Sequence, residues 1–281
     1  IVVIDLHLVR IVPEVRTDVQ IQPFLSNLAR STEKLSSGYR VNRAADDAAG
    51  LSISEKMRGQ IRGLEQASTN AEDGQSLIQT AEGALSEIHS VLQRMRELTV
   101  QASNDTNVSA DRKAIAKEVR ALTSEINRIA TQTQFNTMGL LSGGFKNKKL
   151  QVGANTNQTI SITISSMTAG KLGVSATVIA KVISSSTGKD ITKLITTVNT
   201  AITKVSTQRS ALGAVQNRLD HTIANADNMA ENLQSSESKI RDVDMADEMV
   251  SYSASSILQQ AGQSMLAQAN QATQGVLSLL Q

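Results

Sequence analysis

Residues 64–98 read LEQASTNAEDGQSLIQTAEGALSEIHSVLQRMREL, and apolar or small side chains recur along them at alternating spacings of three and four. This heptad pattern keeps its members on one face of an α-helix and predicts a helix of roughly forty residues. A second apolar column widens the stripe, which favours a helical bundle over an isolated two-stranded coiled coil. The first column is Leu64, Ala67, Ala71, Gly74, Ile78, Ala81, Leu85, Ile88, Leu92 and Met95; the second is Leu77, Ala84, Val91 and Leu98.

The helical pattern resumes after the polar residues 104–107, where Ser109 is predicted to cap the next helix. It returns for about fifty residues from Leu194 to Val243, with Gln208, Thr222 and Ser236 as polar members of the seam. Polar residues in such seams often set register at some cost in stability. The helix after Ser109 has Ile115, Val119, Leu122, Ile126 and Ile129 on one face. The last stripe is Leu258, Ala261, Met265, Ala269, Ala272, Val276 and Leu279.

The region from residue 136 to 188 is rich in glycine and has a different period. Residues 158–165 alternate polar and apolar side chains, which predicts a half-buried strand, and residues 150–153 are a shorter strand candidate. Residues 176–183 fit either a third strand or a loop. The fold class predicted is therefore mainly α: a long antiparallel helical or coiled-coil bundle forming a rod, with a small β-hairpin region in the middle of the chain.

Composition narrows the function classes. The chain has 281 residues, no Cys, no Trp and a formal net charge of +2. Without cysteine there is no disulfide framework or thiolate site, and the near balance of charge argues against a nucleic-acid partner. No apolar run is long enough to span a membrane, and the opening segment lacks the features of a secretory signal. We expect no membrane partner, and if the protein leaves the cell, it uses a route that needs no such signal.

The potentially reactive side chains of the sequence favour a protein that is not an enzyme. The histidines His7, His89 and His221 do not form a metal pattern, and the acidic cluster at 242–248 lacks the spacing of a calcium loop. That cluster is interpreted as a solvated helix face. We predict no catalytic residue, no cofactor and no metal site. Gly50, within a helical segment, predicts a bend or a close backbone approach.

Several long motifs resemble those of bacterial flagellins, in a minimal form without large central outer domains. The N-terminal ones are EKLSSGYRVNRAADDAAGLSISEKMRGQIRGL at 33–64, QTAEGAL at 79–85, LQRMREL at 92–98 and QTQFN at 132–136. The C-terminal ones are RSALGAVQNRL at 209–219, ESKIRDVDMA at 237–246 and QSMLAQAN at 263–270. Residues 1–23, with Pro13 and Pro23, depart from the family's N-terminal helix, and we expect either a different inner region or an unreliable sequence there.

The resemblance implies a structural subunit that self-assembles into the flagellar filament for swimming motility. It implies an inner domain of terminal helices, 1–43 plus 238–281, and an outer-shell helical bundle, 44–237, that includes a β region at about 145–188. It also implies secretion through type III export to an extracellular flagellum. The implied partners are further copies of the chain, an export chaperone, and the filament cap and junction proteins.

Two sets of contact residues follow from the resemblance. The stripe from Leu258 to Leu279 is expected to pack in the inner tube and to bind the chaperone. The family's contacts with a host Toll-like receptor fall on Gln93, Arg94, Glu97 and Leu98, with Glu118 in the next helix.

Three other functions remain open at this point. A hook–filament junction protein shares the terminal helices, but the filament-type motifs and the short centre argue against it. A flagellin-derived protease would need a metal motif in the centre, and residues 136–193 contain no histidine. A soluble coiled-coil adaptor would be distinguished by its failure to polymerise.

Overall fold

The computed structural model describes residues 22–176, Ile179, Ile183 and residues 188–278. Most of the divergent N-terminal segment, residues 1–21, lies outside this description. The long helices are α1 (residues 22–37), α2 (Ala48–Ser103), α3 (Ser109–Gln132), α5 (Gly188–Arg241) and α6 (Met245–Ser278). The middle of the chain holds β1 (Gln134–Phe135), β2 (Met138–Gly139), β3 (Lys148–Gln151), β4 (Thr159–Ile162) and the short helix α4 (Ala169–Leu172).

The chain divides into two compact units. The terminal unit comprises residues 1–59 and 232–281, and the central unit comprises residues 60–231. Within the central unit α2 and α5 run antiparallel, because Gln75 bonds Asp220 and Glu82 pairs with Arg209. The helical hairpin of α2 and α3 is antiparallel as well, closed by hydrogen bonds from Arg112 to the backbone of residues 102 and 104. The mainly helical class with antiparallel packing is confirmed.

The heptad seam of α2 is the centre of the core. All ten predicted positions from Leu64 to Met95 are buried, as are Leu77 and Leu98 of the second column. The helix has 56 residues, longer than predicted, because it begins at Ala48. Asp47 caps that end: Gly50 N–H donates to Asp47 Oδ1 at 2.8 Å. A Cβ at Gly50 would lie 2.3 Å from Asp47 Oδ2, so the close contact at this glycine comes from the side chain that caps the helix and not from another backbone segment.

The seam of α5 is buried only in part. Its members are buried or partly buried from Leu194 to Ala226, whereas Met229 is half exposed. Gln208 explains one polar position: its Oε1 accepts from Ser165 N–H at 3.2 Å, and its Nε2 donates to Thr163 O at 3.1 Å. This amide connects the extended segment that follows β4 to the face of α5, which accounts for a polar residue at this position of the seam.

Two small antiparallel sheets form the β region. The strands β3 and β4 pair from Lys148–Ile162 to Gln151–Thr159, close to the predicted strands. The sequence interpretation missed the hairpin of β1 and β2, whose turn residues Asn136 and Thr137 both have positive φ.

Of residues 176–183, interpreted as a strand or a loop, the structure describes Ala176, Ile179 and Ile183, and all three are helical. Ile179 and Ile183 are fully buried, and their spacing of four places them on one helix face. Both earlier interpretations are wrong for these residues, and the rest of the segment lies outside the described residues.

The predicted cap of α3 is wrong by one position. Val108 occupies the N-cap, and its N–H donates to Asp111 Oδ2 at 3.2 Å. Valine has no side-chain acceptor, so only the carboxylate half of a capping box is present. Ser109 begins the helix itself.

Two glycines of α2 should respond to alanine in opposite ways. A Cβ on Gly74 would lie 2.2 Å from Leu150 Cδ1 and 3.5 Å from Leu219 Cδ1, whereas one on Gly83 meets nothing within 4 Å. We expect Gly74→Ala to destabilise the central unit by about 1–3 kcal/mol and Gly83→Ala to stabilise it by about 0.5–1 kcal/mol. Urea unfolding of the monomer, followed by far-UV circular dichroism, measures both. Equal effects would contradict the close packing of Leu150 on α2.

Candidate functional site

In the terminal unit, backbone hydrogen bonds join the segment after α1 to the segment between α5 and α6. The junction, residues 38–41 with 240–243, is a short antiparallel contact: Arg40 N–H donates to Arg241 O at 2.6 Å and Val243 N–H to Gly38 O at 3.0 Å. Gly38 has φ of +76°, a left-handed conformation that suits glycine. The junction connects the end of α1 to the turn between α5 and α6.

Arg241 is the centre of the junction. Its guanidinium lies 4.5 Å from the centroid of the Tyr39 ring, in a cation–π arrangement. Its Nη1 lies 3.1 Å from Glu55 Oε1 and 3.9 Å from Glu237 Oε1. Ser54, almost fully buried, donates to the same Glu237 oxygen at 2.8 Å. With 12% of its side chain exposed, Arg241 is a partly desolvated cation held by two carboxylates and a ring.

The acidic cluster at 242–248 has structural partners. Asp244 Oδ1 accepts from the N–H groups of Ala246 at 2.9 Å and Asp247 at 3.3 Å, which caps α6. Glu248 Oε2 lies 3.5 Å from Lys34 Nζ, a contact between α6 and α1. The interpretation as a simple solvated face is therefore wrong for Asp244 and Glu248. Within the described ranges, no group of three or more histidine or acidic side chains is arranged to hold a metal ion.

A mutation at Arg241 tests the junction. Arg241→Met keeps much of the volume but removes the cation–π contact and both ion pairs, leaving Glu237 desolvated without its cation. We expect a loss of about 1–3 kcal/mol in the stability of the terminal unit. Arg58→Met is the matched control, because the exposed Arg58 pairs with the same Glu55 at 3.6 Å, and it should cost under about 1 kcal/mol. The only two tyrosines, Tyr39 and Tyr252, both belong to this unit, so tyrosine fluorescence during urea unfolding reports on it. Equal losses in the two variants would show that the contacts of Arg241 stabilise the terminal unit no more than an exposed ion pair does.

The described side chains of the C-terminal stripe lie on α6, and the two larger ones among them are exposed. Leu258 exposes 51% of its area and Met265 69%, and Ala261 and Ala269 are also exposed. The side chains of Ala272, Val276 and Leu279 lie outside the described part of the chain. Val250 and Ile257 on the same helix are 70% and 66% exposed. This helix therefore presents apolar side chains to solvent over much of its length, which is unusual for a monomeric protein and typical of an association surface.

Of the residues expected to contact a receptor, Leu98 is buried and the others are exposed on the surface. Arg94 Nη2 lies 2.9 Å from Glu118 Oε1 and its Nη1 lies 3.0 Å from Glu97 Oε2. The hydrogen bonds that Arg94 donates to Glu118 and then to Glu97 raise the pKa of Arg94 above its usual value. Gln93 lies one turn from His89, with their side-chain nitrogens 2.9 Å apart. Leu98 is 2% exposed and packs in the core beneath this surface.

The junction itself was not predicted. Tyr39 and Arg241 stand in two of the quoted motifs, but the two residues are about two hundred positions apart and no periodic pattern links them. A basic residue in the last turn of α5 is the signal that could have suggested a capping role for Arg241. Among the helices that the structure describes, none is long and apolar enough to cross a membrane.

Comparisons with known proteins match both ends of the chain. The family model for the bacterial flagellin N-terminal helical region matches residues 13–146, and that for the C-terminal helical region matches residues 195–280. The sequence is 54% identical to a flagellin of Halalkalibacterium halodurans, over 89% of this chain and 91% of that protein. It is 50% identical to a flagellin of Bacillus subtilis, over 89% of this chain and 92% of that protein.

A solved structure shows the same fold at low identity. The chain is similar to a putative flagellar hook-associated protein from Vibrio parahaemolyticus with a TM-score of 0.61 and 12% identity. The alignment covers 70% of this chain and all of that one. At this identity the likeness concerns the fold alone.

Proposed function

The chain belongs to the bacterial flagellin family, a family of structural proteins that self-assemble into the flagellar filament, and we propose that α6 supplies the main contacts between its copies. The single observation that supports this is the exposure of Leu258, Met265 and their apolar neighbours on that helix. Burial of such side chains against neighbouring subunits releases them from water and favours polymerisation. The hook–filament junction alternative is not favoured, because the relatives that are half identical over most of the chain are flagellins.

We also propose the division of labour implied by the family. Residues 1–43 and 238–281 form the inner domain of the filament, and residues 44–237 form its outer shell. The junction around Arg241 lies near this boundary. Its ion pairs and backbone hydrogen bonds hold the N-terminal and C-terminal segments side by side where both continue into the proposed inner domain.

The partners and location follow from the same proposal. The subunit is exported by the type III route to the extracellular filament, where it meets the cap and junction proteins and carries no catalytic activity. Before export, the exposed face of α6 binds the export chaperone as a helix in an apolar groove. A host Toll-like receptor would meet the surface of Gln93, Arg94, Glu97 and Glu118, with Leu98 as support beneath it.

Seeded polymerisation tests the proposed role of α6. Purified protein is dissociated by heat, cooled, and mixed with short filament fragments, and growth is followed by light scattering and electron microscopy. An excess of a peptide matching residues 245–278 should slow elongation, because it competes for the same contacts. A scrambled peptide of equal composition is the control. Equal elongation with both peptides would contradict the role of α6, and no elongation without any peptide would contradict self-assembly of this chain.

A further inference from the structure

Methionine is the only sulfur-containing residue in this protein, which has eight methionines and no cysteine. Their exposure differs sharply: Met95 is 0% and Met167 is 3% exposed, and both belong to the core. By contrast, Met245, Met249 and Met265 on α6 are 49%, 50% and 69% exposed. We call these three residues the methionine trio.

The trio lies among exposed apolar side chains of the same helix. Met245 and Met249 are one turn apart, and Met265 is two turns from Leu258, so each pair shares a helix face. Val250 and Ile257 add further exposed apolar area. The thioethers are therefore accessible to small solutes in the monomer, on two faces of α6 that lie about half a turn apart, and the proposed site requires assembly to bury both faces of this helix.

Exposed thioethers react with two-electron oxidants of the peroxide class. The O–O bond of hydrogen peroxide breaks, one oxygen atom forms a bond to the methionine sulfur, and the second leaves as water. Sulfur is oxidised by two electrons and the peroxide is reduced by two. The product, a sulfoxide, is polar and chiral, and specific reductases return it to the thioether.

We propose that the methionine trio is a reversible oxidation site that controls self-assembly: its sulfoxide form prevents the subunit from joining the filament. A sulfoxide oxygen that is buried in an apolar contact loses its hydrogen bonds to water and gains no donor in their place. This loss makes burial of the oxidised side chain unfavourable. The assembled filament is protected, because the same contacts exclude peroxide from the sulfur atoms. This inference rests on the proposed role of α6 in assembly.

The test compares peroxide treatment of heat-dissociated monomers with treatment of intact filaments. Peptide mapping by mass spectrometry should find sulfoxide at the trio in monomers and little in filaments, with Met95 and Met167 unmodified in both. Treated monomers should show a critical concentration for seeded growth raised about tenfold or more. Treatment with methionine sulfoxide reductases should restore growth.

Variants assign the effect to residues. The triple variant M245L/M249L/M265L should assemble before and after peroxide treatment, because leucine keeps the apolar volume and carries no sulfur. The matched control is M138L/M229L, which removes two exposed methionines of the central unit, 41% and 50% exposed, and should stay sensitive. Circular dichroism of oxidised monomers should match that of untreated ones, which separates lost assembly from lost folding.

Three results would overturn the proposal. One is normal growth of monomers whose trio is mapped as oxidised, and another is a triple variant that peroxide still inactivates. The third result applies if the triple variant does not assemble even untreated. Oxidised wild-type monomers are then treated with reductase, and growth should recover as the trio returns to the thioether form. Recovery that follows the reduction of Met138 or Met229 instead would refute the site. Every assay includes untreated wild-type protein as a control. If this protein does not form filaments, the result contradicts the proposed function and not the oxidation site.

Discussion

We expect the double substitution L258K/M265K to abolish seeded filament growth at concentrations where the unsubstituted protein polymerises. Both side chains lie on one face of α6 and expose half or more of their area, so in the monomer each lysine ammonium stays in water and costs little. In an assembled contact the two charges would be buried without partners. The critical concentration should rise at least about a hundredfold, since each unpaired buried charge costs several kcal/mol.

The control carries the same charge change on the same helix. Gln263 and Gln268 are exposed polar residues, and Q263K/Q268K should raise the critical concentration far less. Electron microscopy and sedimentation of seeded mixtures give both values, and circular dichroism of the monomers checks that helix content is unchanged. Similar losses in the two variants would mean that added charge, and not the loss of the apolar surface, is responsible.

The second large effect is expected from Gln208→Leu in the central unit. Leucine has a similar volume but cannot accept from Ser165 N–H or donate to Thr163 O, and these backbone groups then lack their partner. The free energy of unfolding should fall by about 2–4 kcal/mol. This loss combines the two missing hydrogen bonds with the cost of leaving the backbone N–H and C=O groups without a partner.

Gln216→Leu makes the same exchange two turns further along α5, at a partly exposed position. It should change stability by less than about 0.5 kcal/mol. Urea unfolding followed by far-UV circular dichroism measures both variants, and amide hydrogen exchange at Ser165 should accelerate only in Gln208→Leu. A Gln208→Leu variant as stable as the unsubstituted protein would contradict this prediction. It would show that water satisfies the two backbone groups and that their hydrogen bonds do not explain the polar residue at this seam position.

Periodicity predicted the helices well because side chains three and four residues apart share one face of a helix. The positions of the α2 seam recur at threes and fours, and every one of them is buried. The β1–β2 hairpin was missed because its strands have two residues each, too few for a period to be visible. The start of α2 was also missed, because the heptad pattern was recognised only from Leu64, whereas the helix begins at Ala48 and is capped by Asp47.

The amino-acid sequence by itself determined the mainly helical class and the apolar character of α6, because these depend on local spacing and composition. Only the tertiary structure decided which apolar positions stay in water, such as Met229 and Met265, since exposure depends on whether another segment lies opposite. It also decided the pairing of Arg241 with Tyr39 and Glu55. Such contacts join residues far apart in the chain, and their geometry exists only after the helices have packed.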